Sequence, residues 1–96
     1  MPQIIFTGAA LRDLERLRQF LKSKNPAAAK RAADAILRTI ELLKQYPQAG
    51  RPVDEMEHYY RELLIDFGDS GYVALYRYEE GNVVILAIRH GREAGY

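Results

Sequence analysis

Two blocks of apolar residues at helical spacing, separated by Asn25-Pro26, constrain this chain more than any other feature. Leu11, Leu14, Leu17 and Leu21 recur every three or four residues, while Arg12, Asp13, Glu15, Arg16 and Arg18 fill the other side. That is the pattern of a helix with one buried stripe. Thr7 precedes it as an N-cap, and the spacing predicts a helix from about Gly8 to Lys24. Asn25 then caps a second helix, with Pro26 at the first position, where its missing N–H costs nothing. Ala29, Ala33, Ile36, Leu37, Ile40 and Leu43 form its apolar face, and its early alanines allow close approach of a neighbour. Tyr46-Pro47 ends it, because proline cannot continue the hydrogen-bond ladder. The two helices make a hairpin. Each is apolar on one side only, so the pair must lie on another layer.

The strands supply that layer. Gln3 to Phe6 is a short β-branched run. After the breaker-rich loop Pro47 to Pro52 and the acidic residues Asp54, Glu55 and Glu57, residues Tyr60 to Phe67 alternate, with Arg61, Leu63, Ile65 and Phe67 on one side. The cluster at Gly68 to Gly71 turns the chain into a strand from Tyr72 to Glu79, and Glu80-Gly81 signals a tight hairpin. The last strand, Asn82 to Arg89, is apolar on both faces and is expected inside the sheet. The order β-α-α-β-β-β predicts an α+β sandwich, a helical hairpin on one face of a small, mostly antiparallel twisted sheet. Ninety-six residues make one domain, 1–96.

Lys+Arg 14 against Asp+Glu 13 leaves a net charge of +1, without the basic excess of a general nucleic-acid binder. There is no cysteine, so thiolate metal sites and disulfides are excluded. No apolar run approaches the ~18 residues of a membrane span, and the first residues lack a signal-peptide pattern. A cytoplasmic location without membrane contact is expected. Neither a phosphate-binding glycine loop nor a metal-spaced His cluster is present, so no cofactor and no metal is expected.

The chemistry-bearing residues crowd late. Arg61, Arg77, Arg89, His90, Arg92 and Tyr96 are the candidates, with Arg51 in the loop. Beyond the last strand the tail Arg89 to Tyr96 concentrates guanidinium, imidazole and phenol groups. Cleavage of RNA by its own 2′-hydroxyl needs a base, a proton donor and cations beside the charged intermediate. His90 titrates near neutrality, Tyr96 offers a proton, and Arg61 or Arg92 offers a bidentate grip on phosphate. The competing reading is structural: Arg61 and Arg77 as surface arginines with buried stems, His90 as a hydrogen-bonded strand end, and the strand tyrosines as cross-strand packing.

Tyr-Pro-x-x-Gly-Arg-Pro from Tyr46 to Pro52, Tyr60-Arg61-Glu62-Leu63, Gly71 to Arg77, and Val84-Ile85-Leu86-Ala87-Ile88-Arg89-His90 together resemble the RelE/ParE superfamily of bacterial toxins across essentially the whole chain. The resemblance implies a type II toxin–antitoxin module, in which a partner antitoxin neutralises a growth-arresting toxin. RelE-like members cut mRNA in the ribosomal A site without a metal, whereas ParE-like members poison DNA gyrase. The RelE-like pattern is incomplete here. Arg61 matches the first of two spaced basic residues on its strand, but Leu63 stands at the second, and Val73 replaces an arginine on the next strand. Arg92 and Tyr96 do have counterparts. Each lost electrostatic contact of this kind is worth roughly 2.7–4 kcal/mol of barrier, which favours the ParE-like branch. The expected contact surface for gyrase is the second helix, the final strand and the basic tail, with Arg61, Arg77, Arg89, His90, Arg92 and Tyr96 as target-binding residues. The rival is a ribosome-dependent mRNA endonuclease using Arg61, His90, Arg92 and Tyr96. A third reading is an inactive member that only binds its antitoxin.

Overall fold

The computed structural model describes residues 2–91. Along the chain run β1 (Gln3–Phe6), α1 (Gly8–Lys22), α2 (Pro26–Glu41), β2 (Arg51–Pro52), β3 (Tyr60–Ile65), β4 (Tyr72–Glu79) and β5 (Asn82–His90). The predicted order is present, with one addition: the breaker-rich loop contributes β2, two residues paired antiparallel to Glu62 and Arg61. The sheet order is β1-β5-β4-β3-β2. β1 runs parallel to β5, and the other pairings are antiparallel. β5 is therefore flanked on both sides, as its apolar character demands.

Both helices start where their caps put them. Thr7 accepts from Ala10 N at 3.1 Å, and Asn25 accepts from Ala28 N at 3.1 Å. The α-helical ladder of α2 stops at Glu41, earlier than Tyr46-Pro47 predicts, and a 3₁₀ turn (Leu42–Lys44) carries the chain onward. The tighter turn still seats Leu43, which is fully buried. On α1 the buried stripe is Ala10, Leu14, Leu17 and Leu21, and Leu11 is 53% exposed. On α2 it is Ala29, Ala32, Ile36 and Ile40, and Leu37 is 44% exposed. Each misassigned leucine follows a core residue directly, and one residue is a 100° step around a helix of 3.6 residues per turn. That step carries both side chains off the contact line.

The hairpin packs on the face formed by Leu63, Ile65, Tyr72, Ala74, Tyr76, Val83, Ile85 and Ile88. A β-bulge keeps that face apolar. Leu75 pairs with Ala87 but Tyr76 pairs with Ile85, so Leu86 is the extra residue. The bulge returns Ile88, three residues beyond Ile85, to the helix side. No helix of the described residues is long and apolar enough to cross a membrane.

Candidate functional site

The candidate side chains fall into three separate settings. The first lies at the β2 end of the sheet. Arg61 shares a face with Leu63 and Ile65, and its Nη1 donates to the carbonyls of Gly50 at 2.7 Å and Gln48 at 3.3 Å. Tyr76, its cross-strand partner, is fully buried. The Tyr76 hydroxyl donates to Pro47 O at 2.8 Å and accepts from Gly50 N at 2.9 Å. Arg61 and Tyr76 together clamp the loop 47–50 to the sheet, satisfying backbone groups that no ladder reaches. Arg51, on β2, meets Glu62 with its Nε at 2.6 Å, but at 61% side-chain exposure this pair contributes little.

Burial pushes the Tyr76 phenol up, partly offset by the Gly50 N–H and the charge on Arg61, and burial likewise raises Tyr72. The folded state thus holds both protons more tightly than the unfolded chain. Their contribution is whole below the unfolded value near 10.0 and is lost as pH rises through the raised folded values. Tyr76→Phe is expected to cost about 2 kcal/mol, chiefly by stranding the buried Gly50 N–H. The same substitution should reduce the alkaline loss of stability, read by denaturant titration on either side of that pH. An unchanged midpoint would show that the clamp holds nothing.

The second setting is the opposite face. Arg77 pairs across the sheet with Tyr60 and Val84, and its Nε lies 3.5 Å from Glu79 Oε1. That nitrogen is buried and makes no hydrogen bond. A separation of 3.5 Å is an ion pair and not a charge-assisted hydrogen bond.

The third lies at the far end of β5. Beyond Phe6, β1 no longer pairs with β5, and α1 takes over that edge. Asp13 Oδ2 accepts from Ile88 N at 3.0 Å and from Arg89 Nη1 at 2.8 Å. His90 pairs with Tyr72 across the strands, and the two rings stand edge to face at 5.6 Å. A hollow of about 560 Å³ opens there, lined by Arg16, Leu17, Phe20, Leu21, Tyr72 and His90. Phe20, 61% exposed, is its apolar rim. Sequence patterning had no way to single out Asp13, because it reads as one more polar residue on the outer side of α1.

The three settings stay apart. Tyr72, the partner of His90, lies four strand steps from Tyr76, the partner of Arg61, and five from Arg77. At about 3.4 Å per residue those steps span about 14 and 17 Å. Arg61 and Arg77 also occupy opposite faces. Among the described residues, Arg89 and His90 are neighbours at the end of β5, and Arg51 and Arg61 lie together at the β2 end. Arg92 and Tyr96 lie outside the described residues. Among the described residues no three His, Asp or Glu side chains are grouped as metal ligands.

Comparison with known proteins converges on one group. The family described as "ParE toxin of type II toxin-antitoxin system, parDE" matches residues 4–95. Toxin RelE3 of Caulobacter vibrioides is 44% identical over 84 residues, 88% of each chain. Toxin RelE1 of the same organism is 33% identical over 90 residues, 94% of each. A chain of the chromosomal ParDE TA system from P. aeruginosa superposes with a TM-score of 0.77 at 21% identity, covering 94% of this chain and 96% of that one. The intact E. coli RelBE complex matches with a TM-score of 0.64 at 12% identity, covering 97% of this chain and 100% of the other. At such identities the structural likeness concerns the fold.

Proposed function

Because the chain belongs to the ParE toxin family of type II toxin–antitoxin systems, we propose that it arrests growth by binding and inhibiting DNA gyrase, in the cytoplasm, and that a cognate antitoxin neutralises it. The observation that carries this reading is the dispersal of the guanidinium groups. Arg61 is engaged by carbonyls, Arg77 by Glu79 and Arg89 by Asp13, and Arg61 and Arg77 lie far along the sheet from His90. Stabilising a cleaving phosphodiester requires cations preorganised around one phosphorus atom. Cations spread over a surface suit docking and steering to a large target instead.

A second reading is supported by the relatives that carry the RelE name: ribosome-dependent mRNA cleavage by Arg61, His90, Arg92 and Tyr96. One pair of assays separates the two. Purified chain added to gyrase is expected to block supercoiling and to trap cleavage complexes, while primer extension on translated messages shows no codon-positioned cuts. Unimpaired supercoiling at toxin excess removes the gyrase reading. Cuts abolished by Arg92→Ala or Tyr96→Phe establish the other.

For the antitoxin, two sheet edges offer unequal templates. β2 is two residues long and ends in Pro52, which has no N–H to donate. β1 presents four residues on its outer side. A partner strand would add there, and an amphipathic helix would suit the apolar hollow beside His90.

A further inference from the structure

Charge in this chain is divided between its two layers. Residues 8–41, the helical hairpin, carry eight Lys and Arg against four Asp and Glu, a net of +4. Residues 42–91 carry five against eight, a net of −3. Part of that negative charge sits among aromatic rings at one end of the sheet. Tyr78 N donates to Tyr59 O at 2.9 Å, which lays the segment entering β3 beside the end of β4. Glu57 and Glu79 are thereby brought near Tyr59. The Tyr59 hydroxyl donates to Glu57 Oε2 at 3.1 Å. Its ring lies 4.9 Å from that of Tyr60, and His58 meets it edge-on at 5.4 Å. The hydrogen bond to Glu57, followed by burial and by the charges of Glu57 and Glu79, raises the Tyr59 phenol.

Tyr59 and Tyr60 are half-buried, and partly accessible tyrosines on a sheet suit two kinds of guest. Nucleic-acid bases stack on such rings, but within grooves of positive potential. The carboxylates here oppose that. A guanidinium is favoured twice, by the ring faces and by the carboxylates beside them. Glu79 is engaged by Arg77 only at 3.5 Å, so it keeps capacity to accept from an incoming donor. Next to the strip, Tyr46, Pro47, Gln48, Ala49 and Tyr78 enclose an open hollow of about 630 Å³, with Tyr46 61% exposed. That hollow would take the aliphatic stem of an arginine or its apolar neighbour.

We propose that the end of the sheet formed by Glu57, Tyr59, Tyr60 and Glu79 docks an arginine-rich segment of a partner protein. The surface lies away from the His90 hollow, and the assay involves neither gyrase nor ribosome, so it stands or falls apart from the target reading. The test titrates the full chain with two short synthetic peptides, one alternating arginine and serine, the other alternating glutamate and serine, by calorimetry at low and physiological salt. The arginine peptide is expected to bind, more weakly as salt screens the carboxylates. The double substitution Glu57→Gln with Glu79→Gln should weaken binding by about tenfold, and Tyr59→Ala by a similar factor. Lys22→Gln with Lys30→Gln, on the hairpin, should leave it unchanged. Unaltered affinity in the carboxylate variant, preference for the glutamate peptide, or tighter binding of a single-stranded oligonucleotide would overturn the proposal. Thermal melts of each variant exclude misfolding as the cause.

Discussion

Gly50→Ala is expected to destabilise the protein by about 3 kcal/mol or more, at the upper end of what overpacking a core costs. A methyl group at this position would stand 2.7 Å from Tyr76 Cε1, 2.8 Å from the Tyr76 hydroxyl and 2.8 Å from the carbonyl oxygen of Glu62. None of the three can yield cheaply. Glu62 lies in β3, paired on both sides with Arg51 and Leu75. Tyr76 is fully buried, and its hydroxyl is fixed by Pro47 and Gly50. The loop must therefore lift, and lifting breaks the Gly50 N–H bond to Tyr76 and the Arg61 bond to Gly50 O together. A domain of this size has about 5–15 kcal/mol of stability in all, and each kcal/mol shifts its melting temperature by roughly 4–8 °C. Denaturant titration should show a lower midpoint with an unchanged slope. Combining Gly50→Ala with Tyr76→Phe should cost less than the two single losses added, because both act on one hydrogen bond. A single-variant loss below about 1 kcal/mol would mean that the loop is not pinned where Tyr76 places it.

Asp13→Ala comes next, at about 3 kcal/mol, because one carboxylate oxygen serves two donors. Removing it leaves the Ile88 N–H without an acceptor where β1 no longer pairs with β5, and leaves the half-buried Arg89 guanidinium without its counter-charge. Each loss carries a desolvation penalty beyond the bond itself. Asp13→Asn keeps an acceptor for Ile88 and gives up only the charge, so it should cost about 1 kcal/mol. Arg89→Ala in the two backgrounds closes a double-mutant cycle that isolates the ion pair. Equal losses for alanine and asparagine would show that the backbone contact contributes nothing. The carboxylate also aims Arg89 toward α1, beside His90. If the end of β5 contacts gyrase, Asp13→Asn should weaken inhibition more than its modest loss of stability accounts for.

Much of the fold is legible because its signals are local. Asn25-Pro26 is a cap and a start wherever it falls, and Asn82 to Arg89 is too apolar to tolerate an edge. The leucines exposed on each helix show where such reasoning loses resolution. Leu11 and Leu37 are as hydrophobic as their neighbours, and only the angle at which the hairpin meets the sheet ranks Ala10 above Leu11 and Ile36 above Leu37. Among the candidate residues, chain proximity of Arg89 and His90 was visible, and so was the resemblance that supplied Arg61. Invisible was what each guanidinium touches. Alternation put Arg61 on the face of Leu63 and Ile65, and pairing with Tyr76 turned that placement into a loop clamp.

By itself, the order of residues decided the two helices and their starts, the four longer strands and the interior place of β5, since these rest on propensities and patterns spanning a few neighbours, while the succession of motifs along the whole chain carried the resemblance to the toxin superfamily. Tertiary structure alone decided that Asp13 closes the open edge of β5, that Gly50 must lack a side chain and that the basic residues divide among three settings. Those outcomes depend on which backbone groups are left without partners after the sheet assembles, and that is a property of contacts between distant residues, such as Asp13 and Ile88, 75 positions apart.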